Sequence, residues 1–69
     1  MYIVQEIQTT NNATILVPAA VFSDKNQAES AYHQALCSSA ISSVDVHTVI
    51  LYNEHGVVLK AEYYEHNEL

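Results

Sequence analysis

The acid–base chemistry open to this chain rests on two short carboxylate–imidazole spacings. Glu29 and His33 stand four residues apart, which on a helix sets both side chains on one stripe. There they would form a ligand pair or an acid–base pair, with His47 as a third member. As a plain helix-surface ion pair they would contribute roughly 0.2–0.5 kcal/mol. Asp45 and His47 stand two apart, and on a strand would point to the same side. With Ser42 or Ser43 alongside, a hydrolase triad can be drawn. A working triad also needs an oriented nucleophile and an oxyanion hole, commonly built on glycine-rich turns. The chain has a single glycine, so the plainer reading is a polar patch near a helix end, and the expectation is a protein that is not an enzyme.

Metal and phosphate chemistry are equally thin. The histidines His33, His47, His55 and His66 match no recognised ligand spacing, and no HExxH string is present. Cys37 is the only cysteine, which closes off an internal disulfide and a thiolate-rich zinc site. With one glycine and no arginine the chain has neither a phosphate-cradling loop nor a bidentate clamp. The reading is no metal and no cofactor.

The tyrosines offer more. Tyr2, Tyr32, Tyr52, Tyr63 and Tyr64 each combine a flat apolar body with a polar tip, suited to interfaces and to stacking on a base, although core and edge packing use them in the same way. A candidate binding rim combines Tyr32, Tyr52 and Tyr63 with Lys25, Lys60, Glu29, His33 and His47.

Net charge narrows the partners. It is −6, and Lys25 and Lys60 are the only permanent cations. Tight nucleic-acid binding draws on several contacts to phosphates, so DNA and RNA are not expected partners. With 49% hydrophobic and 14% charged residues the composition is that of a globular domain. No apolar run approaches the ~20 residues that span a bilayer, and the N-terminus lacks the pattern of a signal peptide. With the unpaired thiol, this predicts a cytoplasmic protein and no membrane partner.

Positioning these groups requires a small set of elements. Residues 2–8 read as a strand, residues 9–12 as a polar turn, and residues 14–22 as a second strand. Pro18 cannot donate a ladder hydrogen bond, so that strand should lie on an edge or carry a bulge. Asp24 reads as a helix N-cap, with Gln27 completing a variant capping box. Ala28, Ala31, Tyr32, Ala35, Leu36 and Ser39 then recur on one helical face, with Asn26, Ser30, Gln34 and Cys37 or Ser38 opposite. The helix should fade in the serine-rich stretch near Ile41. Residues 44–53 form the strand richest in β-branched residues, Gly56 supplies a positive φ in the next turn, and residues 57–64 return. An acidic tail, residues 65–69, follows. The fold class is α+β in the order ββαββ: one domain over residues 1–69, a four-stranded antiparallel sheet with one helix packed on one face. Spatial order 2-1-3-4 keeps Pro18 on an edge and the most apolar strand central.

One helix covers one face only, yet the third strand is apolar on both sides, with Val44, Val46 and Ile50 on one and Val49 and Leu51 on the other. Exposed apolar patches of several hundred Å2 are rare on monomers, and a chain of 69 residues buries only roughly 60% of its unfolded surface. A partner subunit is therefore expected, giving a homodimer or larger symmetric assembly.

The helix string Asn26-Gln27-Ala28-Glu29-Ser30-Ala31-Tyr32-His33-Gln34-Ala35-Leu36, followed by Ser42-Ser43-Val44-Asp45-Val46-His47, resembles short uncharacterised proteins encoded by phages and prophages of gut Firmicutes. The opening Tyr2-Ile3-Val4-Gln5-Glu6-Ile7-Gln8 and the closing Glu62-Tyr63-Tyr64-Glu65-His66 are similar to the same group, so the likeness runs over nearly the whole chain. It implies a setting in the infected cell and carries no assigned activity or functional residue. In that setting a small acidic binding protein would counter host defence, as a homo-oligomer that either sequesters a nucleotide immune signal or occupies a host effector protein. Sequestration would use tyrosine rings on the base and Lys25, Lys60, His33 and His47 on the phosphates. Occupation would use Glu62, Glu65 and Glu68 against a basic patch. The alternative is a structural or accessory phage protein with no small-molecule ligand.

Overall fold

A computed structural model of the chain describes residues 1–11 and 13–66. The elements run β1 (Tyr2–Thr10), β2 (Ala13–Leu16), β3 (Ala20–Phe22), α1 (Lys25–Ala40), β4 (Val46–Asn53) and β5 (Val58–Glu65). All strand pairings are antiparallel, in the order β2-β1-β4-β5, with β3 also on β1. This is the α+β fold and the strand order expected from the sequence, with one correction: the sheet has five strand segments rather than four.

Pro18 makes the difference. The run at residues 14–22 breaks into β2 and β3, both on β1. Leu16 faces Ile7, whereas Ala20 faces Val4, so the register slips by one residue across Val17, Pro18 and Ala19. Val17 still donates its N–H to Glu6 O at 3.0 Å, and proline, lacking a donor, takes the bulged position. Because side chains alternate faces along a strand, the slip returns Val21 to the same face as Leu16. It also turns Phe22 to the helix side, where it packs against the core.

Other boundaries move slightly. Thr9 and Thr10 belong to β1, and Thr9 pairs with Thr14, their hydroxyls 3.2 Å apart. The turn begins at Asn11, whose φ of 52° is one of the left-handed conformations asparagine tolerates; Asn12 lies outside the described residues. Val44 and Asp45 precede β4 rather than opening it. The second bulge is in β5: Lys60 faces Leu51 and Val58 faces Tyr52, so Leu59 is the extra residue. Gly56 turns the chain with φ 81°. Of the acidic tail, residues 67–69 lie outside the described residues.

Helix α1 starts where its cap predicts. Asp24 accepts the N–H of Asn26 at 3.1 Å. The reciprocal Gln27 contact of a capping box is not among the hydrogen bonds of the described residues. The helix ends at Ala40, with Ile41 and Ser42 donating back to Ser38 and Ser39. Ala28, Tyr32, Leu36 and Ser39 are its buried stripe. The Ser39 hydroxyl is accommodated there by donating to Ala35 O at 2.7 Å. Against this stripe pack Val4, Val49 and Leu51, completing a core margined by Tyr2, Phe22, Ala31 and Ala35.

Candidate functional site

The eight residues of the candidate rim fall on opposite sides of the sheet. Lys25 and His33 are exposed on α1, and Glu29 is half-buried there. Glu29 does not pair with His33; its Oε1 meets Lys60 Nζ of β5 at 3.5 Å. His33 instead sets its ring edge-on to Tyr32, centroids 5.5 Å apart. Tyr32 is 2% exposed and belongs to the core, so its ring is not presented to a ligand. Burial, followed by the nearby Glu62 carboxylate and Tyr64 phenol, pushes its hydroxyl above the ordinary tyrosine range. Tyr52 and Tyr63 lie on the other face of the sheet. No single site collects the eight.

His47 has a partner that spacing could not reveal. Alternation along β4 turns it with Val49 and Leu51 toward the helix, and it is 4% exposed. Its Nε2 lies 2.8 Å from Glu6 Oε2, on the diagonal of the β1–β4 ladder, since Glu6 faces Val49. A carboxylate only accepts, so Nε2 carries the proton and donates. Nδ1 is buried and unpartnered among the described residues. Asp45, which a triad would require beside His47, lies outside the strand. Its Oδ2 accepts the N–H of Asn11 at 3.3 Å, and its carbonyl accepts that of His66. His66 in turn places Nε2 2.8 Å from Ser39 O at the helix end and stacks on Tyr64. The triad drawn from spacing does not assemble. The described residues enclose no pocket.

The extended feature of the surface is the face of the sheet away from α1. Register places on it Ile3, Gln5, Ile7 and Thr9 of β1, and Val46, Thr48, Ile50 and Tyr52 of β4. Thr14 and Leu16 of β2, Val21 of β3, and Val58, Ala61, Tyr63 and Glu65 of β5 complete it. Leu16, Val21, Val58 and Tyr63 remain about 60% exposed. Glu65, at one end, is the face's only charge among the described residues. Polar groups satisfy one another within it, as where Tyr52 Oη donates to Gln5 Oε1 at 3.1 Å. An antiparallel sheet with one solvated face normally alternates apolar-in and polar-out. Here Glu6, Lys60 and Glu62 stand on the helix side, and the uncovered side carries Ile3, Ile7 and Ile50.

No family model, no curated protein and no solved structure matches the chain.

Proposed function

We propose that the chain is a non-enzymatic binding protein that works as a homo-oligomer, its uncovered sheet face closed by a second copy. One observation carries this reading: the face is almost free of charge on a chain whose net charge is −6. Two such chains repel each other over most of their surface. A neutral apolar face is where a second copy meets least resistance, and there each large apolar side chain removed from water contributes about 1–2 kcal/mol. The longer Cα extents, 39 and 20 Å, allow a footprint near the ~800 Å2 each partner contributes to a standard interface. Sheets packed in this way stack about 10 Å apart.

Within the phage setting that the sequence likeness implies, the reading favours occupation of a host effector protein over sequestration of a nucleotide. Tyr52 and Tyr63 are on the uncovered face, while Lys25 and Lys60 are on the helix side. Those two rings of the rim are therefore separated from its cations by the thickness of the sheet, and Tyr64, on the lysines' side, is already stacked on His66. Once the apolar face is closed, the acidic helix side, including Glu62, is the surface left for a basic protein patch.

Sedimentation velocity tests the self-association. The expected result is an assembly that loses mass when Leu16→Lys and Val21→Lys are combined, two exposed positions whose exchange costs the monomer little. A wild-type monomer at micromolar concentration would overturn the reading. Native mass spectrometry of protein from the infected cell tests the second part, and a co-purified nucleotide would refute effector occupation.

A further inference from the structure

Self-association through the sheet face leaves a second surface unused, the outer edge of β5. The opposite edge of the sheet is split at Pro18 into two short strands of four and three residues, and proline has no N–H to offer a neighbouring strand. β5 runs from Val58 to Glu65 with every residue exposed, and it ends the strand order. Among the described residues nothing pairs with its outer side. Such an edge is a template for another strand.

Its side chains fit one occupant. We propose that two copies join edge to edge through antiparallel β5 strands, with Ala61 facing Ala61 across a two-fold axis. Residues opposed in an antiparallel pair share a face of the sheet, so the axis must pass through a residue facing itself. Centring on Lys60 sets lysine against lysine, and centring on Glu62 sets glutamate against glutamate. Like charges directly opposed are destabilising. Centring on Tyr63 leaves both charges without a partner. Centring on Ala61 places Lys60 of each copy opposite Glu62 of the other, twice by symmetry, over an overlap of residues 59–63 that stops at the bulge, with Leu59 beside Tyr63. The two charges lie on the helix side, clear of the apolar face. Lys60 has donors for both Glu62 across the axis and Glu29 in its own chain.

The edge axis stands perpendicular to the sheet and the face axis runs parallel to it between the stacked sheets, so a tetramer of two continuous sheets closes where the two axes intersect. The edge contact does not depend on the face contact, and the test separates them. Sedimentation equilibrium is run on the wild type, Lys60→Glu, Glu62→Lys, the double exchange, Glu29→Gln, and the Leu16→Lys/Val21→Lys variant, with circular dichroism to confirm folding. The expected wild type is a tetramer. Each single charge reversal halves its mass, the double exchange restores it, and Glu29→Gln leaves it unchanged. A wild-type dimer that Lys60→Glu dissociates and the face variant does not supports the edge and overturns the face reading. Wild-type assemblies indifferent to Lys60→Glu, or a double exchange that fails to restore mass, overturn the edge proposal whatever becomes of the face.

Discussion

Removing the carboxylate of Glu6 separates a structural histidine from a reactive one. In Glu6→Ala the Nε2–H of His47 loses its acceptor at 2.8 Å while Nδ1 is already unpartnered, so a ring 4% exposed is left with neither nitrogen bonded. An unsatisfied buried polar group costs about 1–3 kcal/mol. The Glu6 side chain is 28% exposed, so water relieves part of this, and the expected loss is about 1–2 kcal/mol. His47→Leu removes both polar nitrogens from a site beside Val49 and Leu51, and replacing both partners of a buried bond by apolar groups can be nearly neutral. The double variant Glu6→Ala/His47→Leu is therefore expected to recover most of the loss. Urea unfolding at one fixed protein concentration measures all four proteins, the concentration held because self-association adds to apparent stability. In melting temperature the single loss corresponds to roughly 4–16 °C for a domain of this size. If Glu6→Ala matches the wild type, or His47→Leu loses as much as Glu6→Ala, the account of the pair fails.

Two further outcomes follow from the same packing. Asp24→Ala removes the acceptor for the Asn26 N–H and should cost about 1 kcal/mol, with Asp24→Ser recovering most of it; equal stability of all three would deny the cap its role. For Tyr32, whose hydroxyl is raised by burial first and then by Glu62 and Tyr64, the stability contribution is fully present below the ordinary tyrosine range. It is lost as pH rises through the higher folded value. Ultraviolet titration should show one tyrosine ionising last, together with unfolding, and Tyr32→Phe should move that alkaline loss to higher pH. Identical alkaline profiles would refute it.

The local features were legible in the residues because their causes are local. Asp24 caps because its side chain reaches an N–H two residues on. Ala28, Tyr32, Leu36 and Ser39 are buried because helical spacing aligns them. Gly56 takes a positive φ that few other residues accept, and Pro18 had to sit at an edge because it has no donor. The excess of apolar strand surface over what one helix can cover was also present in the strand composition. Spacing misled where several partners were within reach: Glu29 was placed with its helix neighbour His33, and Asp45 was placed on the strand with His47.

Tertiary structure alone decided which of those partners won. His47 bonds Glu6, 41 residues away, because the β1–β4 register brings them onto one diagonal, and no sequence interval encodes a register. Glu29 meets Lys60 because the helix crosses β5. A one-residue slip at Pro18 set Leu16 and Val21 on the same side of the sheet, and the choice of side for α1 left that one uncovered. Backbone preference acts over a few residues, so the sequence by itself determined the elements and their caps. Which faces and charges ended up together depended on how distant strands aligned, and only the folded chain contains that alignment.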